Sequence, residues 1–394
     1  MKLVIDANIP AADACFGTYG VLTRVPGREI TAAHLQDADA LIVRSITQVN
    51  EDLLANSPVT FVGTCTIGTD HIDLAALAKR NITFASAPGC NAEAVVDYVL
   101  SSLLTLGERD GWKLSDRTVG IVGVGNVGGR LLARLTAMGV TIMACDPPRE
   151  AGEGAAVERR AETEPTQQFH SLDAVIEHCD VLCLHTPLTR EGPHATYQLL
   201  DAQRINELAS GTVLLNAGRG DCVEGLALRS RLAGKGDISV VLDVWEDEPG
   251  IDAGLRDLVS LATPHIAGHS LDGKLRGTWM IEQALAHHCG QPSKLSFADI
   301  CPLPALASLH LQHALPPEDA LRLCMRAVYD ARRDHDALQR QTQHHGMRKG
   351  FDDCRANYPL RREFATLNVQ LSGEAVALEG MLRGAGFTVT LAKS

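Results

Sequence analysis

The stretch V-G-I-V-G-V-G-N-V-G at residues 119–128 decides the fold of this chain. An apolar run leads into Gly123, Gly125 and Gly128, and the helix-forming segment R-L-L-A-R-L-T-A-M follows at 130–138. The first glycine permits a tight turn, the second lets the backbone approach a pyrophosphate, and the third lets the helix pack closely on the strand. The helix N-terminus adds N–H donors and the positive end of a dipole. The stretch therefore predicts a dinucleotide-binding α/β unit of the Rossmann type.

An acidic residue follows at the spacing that such units use. Asp146 ends the next predicted strand, T-I-M-A-C-D, roughly twenty residues beyond the glycines. A carboxylate there accepts hydrogen bonds from the ribose hydroxyls of NAD and repels the 2′-phosphate of NADP. A helix cap is the structural alternative for Asp146, and Arg149 nearby leaves some room for NADP. We predict that the cofactor is NAD.

The bulk composition bounds the class of protein. At 394 residues the chain is too long for one core, so two or three domains are expected. A net charge of −12 without a long basic run argues against a nucleic-acid partner. No apolar stretch approaches the roughly 18 residues that span a bilayer, and the N-terminus is typical of a strand rather than a signal peptide. Eleven cysteines without a C-x-x-C pair indicate reduced thiols in the cytoplasm, and no metal site is predicted.

Short apolar runs alternate with helical segments over most of the chain, which predicts parallel α/β sheets. The first sheet has predicted strands at 3–5, 40–43, 60–63 and 83–85, with helices at 51–55 and 74–80. A long apolar helix at 91–106 leads to the strands of a second sheet at 118–122, 140–145, 181–184, 212–215 and 238–242. The polar segment at 151–165 is expected to be a surface loop or a ragged helix.

The character of the sequence changes beyond residue 290, where clustered prolines indicate a linker. A helix is predicted at 321–334, and strands at 366–371 and 387–391 flank a further helical segment. These elements predict a small C-terminal α+β domain in addition to the two α/β domains.

Three polar residues lie at or just past the ends of apolar runs downstream of the glycine loop: Arg219, Glu248 and His265. A guanidinium offers a planar fork to a carboxylate, and a histidine beside a carboxylate can take up or return a hydroxyl proton. Taken singly, each has a structural alternative: a turn arginine, a solvated acidic turn, or a histidine that serves the fold. Their order after a dinucleotide loop predicts oxidation or reduction of a hydroxy acid.

Five motifs resemble the D-2-hydroxyacid dehydrogenase superfamily: G-V-G-N-V-G at 123–128, H-T-P-L-T at 185–189, N-A-G-R-G at 216–220, L-D-V-W-E-D-E-P at 242–249 and T-P-H-I-A-G at 263–268. Further motifs are similar to one subfamily, which oxidises 4-phospho-D-erythronate on the pathway to pyridoxal phosphate. They lie at 43–47, 61–73, 88–99, 329–334 and 357–364, so the resemblance covers nearly the whole chain.

The resemblance implies roles for individual residues. Arg219 would anchor the substrate carboxylate, His265 would be the acid/base and Glu248 its partner. Contacts to NAD are implied for Gly123, Gly125, Asn126, Val127, Gly128, Asp146, Thr186, Asp243 and Gly268. Ser45 and Thr66 would contact the substrate, a phosphorylated 2-hydroxy acid.

The resemblance also implies an architecture of two doubly wound parallel-sheet α/β domains. A flavodoxin-like substrate-binding domain would comprise residues 1–93 and 270–290, and a Rossmann NAD-binding domain residues 94–269. The C-terminal domain, residues 291–394, would form a homodimer.

Two positions depart from the family pattern. His269 stands where a tyrosine that reaches the substrate is expected, and Asn126 stands where glutamine is expected. The substrate phosphate also needs a cation besides Arg219. Arg44 is the first candidate, and an arginine of the C-terminal segment reaching across a dimer is the second: Arg332, Arg333, Arg361 or Arg362.

The sequence thus predicts an NAD-dependent dehydrogenase of 4-phospho-D-erythronate. The enzyme alternatives are other members of the superfamily, such as phosphoglycerate or glyoxylate dehydrogenase. An alternative of another class is a non-catalytic, NAD-sensing corepressor with the same fold.

Overall fold

The computed structural model describes residues 1–152 and 168–392, which form two compact units. Unit 1 consists of Met1–Glu93 and His269–Leu303, and unit 2 of Ala94–Gly268 and Pro304–Ser394. The C-terminal residues 304–392, called the tail below, thus group with the predicted NAD domain. The division into three domains at the predicted boundaries stays a prediction. The segment 151–165, predicted as a surface loop or ragged helix, lies almost wholly outside the described residues.

Unit 1 contains a parallel sheet of five strands in the order β2-β1-β3-β4-β5. Its elements are β1 (Lys2–Asp6), α1 (Ala12–Phe16), β2 (Val21–Val25), β3 (Ala40–Val43), β4 (Phe61–Thr64), α2 (Leu74–Lys79), β5 (Thr83–Ala85), α10 (Leu271–His288) and α11 (Phe297–Ile300). All residues of β3 and β4 are buried, as expected for parallel strands covered on both faces. This strand order is the flavodoxin-like one.

Two predictions for unit 1 are corrected. The strand β2 was missed because four of its five residues are at least partly exposed, so it lacks the apolar run of a buried strand. The helix predicted at 51–55 is a series of turns. It ends at Asn56, whose φ of 55° lies in the left-handed region and prevents a helix from continuing.

Within the described residues of unit 2, six parallel strands form a sheet in the order β11-β10-β9-β8-β6-β7. Its elements are α3 (Ala92–Asp110), β6 (Thr118–Val122), α4 (Asn126–Ala137), β7 (Thr141–Cys145), α5 (Pro147–Glu150), α6 (Leu172–His178), β8 (Val181–Leu184), α7 (Ala202–Glu207), β9 (Val213–Asn216), α8 (Gly225–Gly234), β10 (Ser239–Leu242), α9 (Ala253–Leu258) and β11 (Leu261–Ala262). The strand order reverses between β6 and β8, which is where open α/β sheets bind their ligands.

The tail adds a small parallel sheet in the order β12-β13-β14. Its elements are β12 (Ser308–Leu311), α12 (Pro317–Val328), α13 (Ala331–His345), α14 (Met347–Ala356), β13 (Asn368–Leu371), α15 (Glu379–Gly384) and β14 (Thr388–Leu391). Its Met325 and Leu367 belong to the same buried apolar cluster as Leu103 of α3 and Leu131 of α4. The tail therefore shares a core with the six-stranded sheet.

The single helix predicted at 321–334 is wrong. The chain breaks at Tyr329, whose φ of −153° is extended, and a new helix begins after Asp330. The Asp330 side chain accepts a hydrogen bond from the N–H of Arg332 and so caps α13. An aspartate at the N-cap position indicates the start of a helix, and the apolar periodicity of the sequence does not by itself reveal that start.

All eleven cysteines fall in the described residues, and none forms a disulfide. No helix in the described ranges has the length and apolar character needed to cross a membrane.

Candidate active site

The predicted site residues of unit 2 follow the strands of its sheet one by one. Gly123 follows β6, Asp146 β7, Thr186 β8, Arg219 β9, Asp243 and Glu248 β10, and His265 β11. Because the strands are parallel and adjacent, their carboxyl ends lie along one edge of the sheet. Residues that are far apart in the sequence therefore lie in neighbouring loops at this edge.

The loops touch one another backbone to backbone. A Cβ added at Gly123 would lie 2.9 Å from the N of Thr186, and one at Gly218 would lie 2.9 Å from the Thr186 carbonyl oxygen. At Gly220 it would lie 2.0 Å from the Trp245 carbonyl group. The loops after β6, β8, β9 and β10 therefore form one continuous surface, which only glycine at these contacts allows.

The glycine loop fits a dinucleotide. Gly123 has a φ of 87°, and a Cβ at Gly128 would lie 2.0 Å from the carbonyl oxygen of Gly123. The Cβ position of Gly125 faces open space, so a ligand can approach the backbone there. Gly125 caps α4 without a side-chain hydrogen bond, which leaves the N–H groups of Asn126 and Val127 for a pyrophosphate.

Asp146 is engaged within its own loop. Its Oδ2 accepts from the N of Val124 at 2.7 Å, and its Oδ1 accepts from the N of Arg149 at 3.1 Å. Arg149 in turn donates to the Val124 carbonyl oxygen. The helix-cap alternative for Asp146 is therefore observed, and the same bonds orient the carboxylate beside the glycine loop. Its contact with ribose stays a prediction.

His265 and Glu248 form the pair that the sequence predicted. The Nδ1 of His265 lies 2.7 Å from Oε2 of Glu248, and the two side chains are 38% and 23% exposed. The other carboxylate oxygen of Glu248 accepts from the N of Trp245 at 2.9 Å. Since a carboxylate accepts hydrogen bonds, this pairing places a proton on Nδ1 and turns Nε2 toward an external group.

Asp243 holds the loop that carries His265 through hydrogen bonds to its backbone. The N of His265 donates to the Asp243 carbonyl oxygen at 2.7 Å. The buried Asp243 carboxylate accepts from the N of Ile266 at 2.8 Å, the N of Ala267 at 2.9 Å and the hydroxyl of Thr263 at 2.7 Å. Burial raises the pKa of this carboxyl. Asp243 thus supports the loop, a role that the sequence prediction missed, and its contact with NAD stays a prediction.

Arg219 is held by its backbone. Asn216 accepts from the N of Gly218 at 3.0 Å and donates to the carbonyl oxygen of Arg219 at 2.9 Å. The Nη1 of Arg219 donates to the Gly218 carbonyl oxygen at 2.9 Å. Asp221, the nearest carboxylate in sequence, pairs with Arg190 instead at 3.5 Å. Asn216 is a further residue that the sequence analysis missed. The feature that could have indicated it is a polar residue at the end of a buried strand.

The predicted substrate residues of unit 1 also follow strand ends. Arg44 comes after β3 and directs Nε and Nη2 to the fully buried carboxylate of Asp6, at 2.8 and 3.2 Å. Ser45 is exposed. The hydroxyl of Thr66 lies 2.8 Å from that of Thr64. Within unit 1 the side chains of Arg44 and Thr66 are anchored, and the contacts of all three residues with substrate stay predictions.

The tail arginines that were second candidates for the phosphate are paired with carboxylates or buried in this structure, and their contact with a phosphate stays a prediction. Arg361 is 2% exposed and donates to the carbonyl oxygens of Ala94 and Ala267 at 2.5 and 3.0 Å. Arg332 pairs with Asp330, Arg333 pairs with Asp334, and Arg362 is buried. The buried Arg361 is the least suited of the four to reach a ligand on another chain.

Two family models match parts of the chain. Residues 103–267 match the D-isomer specific 2-hydroxyacid dehydrogenase NAD binding domain. Residues 300–382 match a domain of unknown function.

Curated relatives match almost the whole chain. The erythronate-4-phosphate dehydrogenase of Chromohalobacter salexigens is 54% identical over 391 residues, which is 99% of each chain. That of Pseudomonas syringae pv. tomato is 47% identical over 388 residues, 98% of this chain and 99% of the relative. The chain belongs to the erythronate-4-phosphate dehydrogenase family. The predicted family is confirmed.

Solved structures agree on the fold of this erythronate-4-phosphate dehydrogenase family member. D-lactate dehydrogenase from Aquifex aeolicus, solved with NAD and lactic acid, aligns with a TM-score of 0.56 at 22% identity. The alignment covers 74% of this chain and 96% of that one. The predicted α/β fold class is confirmed. NAD as the cofactor is confirmed by the NAD binding domain that residues 103–267 match.

Proposed function

We propose that this chain oxidises 4-phospho-D-erythronate to (R)-3-hydroxy-2-oxo-4-phosphooxybutanoate with NAD, a step in pyridoxal phosphate biosynthesis. The observation that carries the proposal is the pair of His265 and Glu248, 2.7 Å apart on the sheet edge that also bears the glycine loop and Arg219. The near full-length identity to erythronate-4-phosphate dehydrogenases supports this substrate over those of other superfamily members.

His265 is the acid/base in this proposal. NAD, when bound, supplies the acceptor for the hydride from the carbon beside the substrate carboxylate. Glu248 holds the proton on Nδ1 and stabilises the imidazolium, so Nε2 is free to take the hydroxyl proton. The left-handed backbone of His265, with a φ of 53°, sets the direction of the ring.

Arg219 anchors the substrate carboxylate. Its charge is permanent, and Asp221 beside it is taken by Arg190. The bond from Nη1 to the Gly218 carbonyl oxygen leaves the Nε and Nη2 edge of the guanidinium for a carboxylate. A carboxylate held in this way has a fixed orientation, so the contribution of Arg219 is mainly positioning.

Arg44 is proposed to bind the substrate phosphate, with Ser45 and Thr66 as further contacts. Because Asp6 accepts from Nε and Nη2, Nη1 is the group of Arg44 that can turn to a phosphate. The buried Asp6 offsets part of the charge of Arg44 and fixes its direction. Arg44 therefore offers an oriented donor rather than a mobile cation.

We further infer a homodimer formed through the tail, in the cytoplasm. Leu323 and Leu360 of the tail are 46% and 69% exposed, so a dimer interface that covered them would bury apolar surface. Light scattering of the purified chain measures its oligomeric state directly, and a monomer at micromolar concentration would contradict the inference.

The experiment that tests the function compares substrates. NADH formation is followed with 4-phospho-D-erythronate, 3-phosphoglycerate and glycolate in parallel, and we expect the highest kcat/KM with the first. Preference for 3-phosphoglycerate would assign the chain to another reaction, and no turnover with any acid would favour the corepressor alternative. His265→Asn is expected to lower kcat by roughly 10²- to 10⁴-fold while NAD binding is kept. Near-normal turnover of this variant would remove His265 from its role.

A further inference from the structure

Two arginines of the tail hold the backbone on which His265 lies. The Nη1 of Arg355, in the last turn of α14, donates to the carbonyl oxygen of His265 at 2.7 Å and to that of Pro264 at 3.3 Å. The Nη1 of Arg361 donates to the carbonyl oxygen of Ala267 at 3.0 Å. Both arginines belong to unit 2, like the loop that they hold.

This loop needs support because of its conformation. His265 has a φ of 53°, in the left-handed region that is unfavourable for a residue other than glycine. Such a conformation persists only where its surroundings determine it. The N–H of His265 is fixed by the carbonyl oxygen of Asp243, and its own carbonyl oxygen is fixed by Arg355. Both peptide groups that set this φ and ψ are thus held, one by the sheet and the other by the tail.

Arg355 is itself held in place. Its guanidinium lies 5.9 Å from the ring centroid of Phe351, one turn earlier on α14. Phe351 is 1% exposed and belongs to the same apolar cluster as Leu338 of α13 and Ala262 of β11. The position of the Arg355 side chain therefore follows from the packing of α13 and α14 against the sheet.

The tail also covers the edge of the sheet that leads into the loop. Within the described residues β11 is the edge strand, and its Ala262 donates from N to the Nδ1 of His335 on α13 at 3.0 Å. Contacts with the tail thus recur along Ala262, His265 and Ala267, on the one segment that carries the acid/base. The edge strand has only two residues, so the hydrogen bonds to Asp243 and these tail contacts together hold the segment.

We propose that Arg355 is a positioning residue for His265, so the tail forms part of the catalytic apparatus in addition to any role in dimerisation. It orients the His265 backbone, and through it the ring, toward the hydroxyl of the substrate. The proposal rests on the acid/base role of His265 proposed above.

The test is a double-mutant cycle that combines Arg355→Met with His265→Asn. In the otherwise unchanged chain, Arg355→Met is expected to lower kcat by roughly 10- to 100-fold, because a displacement of about 1 Å is enough for such a loss. The dissociation constant of NAD should stay the same. In the His265→Asn background, Arg355→Met should have no further effect on kcat, because the group through which it acts is already absent.

Arg383→Met is the matched control. Arg383 also lies in the tail and also donates to a backbone carbonyl oxygen, that of Val389 at 2.6 Å, but it does not contact the His265 loop. It should keep the kcat of the unchanged chain. Arg355→Lys, which retains one donor and the charge, should recover most of the turnover lost in Arg355→Met.

Several results would overturn the proposal. One is near-normal kcat in Arg355→Met, and another is an equal loss in both backgrounds, which is the mark of a general structural role. If Arg355→Met does not fold, the same cycle is run with Arg355→Gln. A loss of kcat only in the presence of His265 then supports the proposal, and an equal loss in both backgrounds, or no loss, overturns it. Failure of the proposed function is distinguishable, since it appears as normal turnover of His265→Asn alone.

Discussion

Replacing Glu248 with glutamine tests the pairing at the centre of the site. The variant keeps an oxygen for the N of Trp245, which lies 2.9 Å from Oε1, so the loop should stay in place. It exchanges the acceptor that lies 2.7 Å from Nδ1 of His265 for an amide that donates. The imidazole is then expected to carry its proton on Nε2, where it cannot accept the hydroxyl proton.

The size of the expected loss in kcat follows from the hydrogen bond between Glu248 and His265 that the variant removes. A hydrogen bond to a charged group contributes roughly 1.5–3 kcal/mol, which corresponds to about 10- to 150-fold in rate if it acts in the transition state. The unfavourable tautomer adds to this loss, so we expect kcat for oxidation to fall by at least about 10²-fold.

The assay is steady-state NADH formation across the pH range, together with NAD binding measured by fluorescence. Glu246→Gln is the control, because Glu246 is a carboxylate two residues away that accepts from the N of Gly225 at 3.0 Å and does not contact His265. A Glu248→Gln enzyme with kcat within a few-fold of the unchanged chain would refute the reasoning.

Three further predictions concern the cofactor loop, the pH dependence of stability and the phosphate. Gly128→Ala places a Cβ 2.0 Å from the carbonyl oxygen of Gly123, so the KM for NAD should rise at least about tenfold. Gly129→Ala is the control, because the nearest atom to its Cβ is 3.6 Å away. This control should keep the KM for NAD and bind NAD normally in titrations. Burial lowers the pKa of His185 to about 4 from its ordinary value of about 6.5, so the unfolded chain binds the extra proton between these values. The free energy of unfolding should therefore rise with pH across that window by up to about 1.4 kcal/mol per pH unit, and denaturant titrations of His185→Gln should lack this contribution. Arg44→Ala should raise KM for the phosphorylated substrate but not for an unphosphorylated 2-hydroxy acid; an unchanged KM for both would exclude Arg44 as the phosphate ligand.

The sequence predicted those parts of the fold that depend on local patterns. The strands β3, β6 and β8 are buried on both faces, so each is a continuous apolar run with visible ends. The same ends gave the positions of Gly123 and Arg219, because polar residues and glycines after a buried strand mark the carboxyl edge of a parallel sheet.

The parts that the sequence did not predict depend on contacts distant in the chain. The strand β11 has two residues, and β12 has only one buried residue, so neither produces a recognisable pattern. The hydrogen bond from Arg355 to His265 joins residues 90 positions apart, and no periodicity signals it. The resemblance indicated the role of Asp243 toward NAD, but not that its carboxylate would accept two N–H groups from the His265 loop.

The distance in sequence between His265 and Arg355 has a consequence for biosynthesis of the enzyme. The ribosome releases the glycine loop and all strands of the six-stranded sheet before it releases Arg355. Because the tail shares a core with this sheet, the nascent chain cannot complete the fold of unit 2 until the tail has emerged. Competence for chemistry thus arrives only after the tail has been synthesised. A chain that stalls before Arg355 is expected to lack turnover.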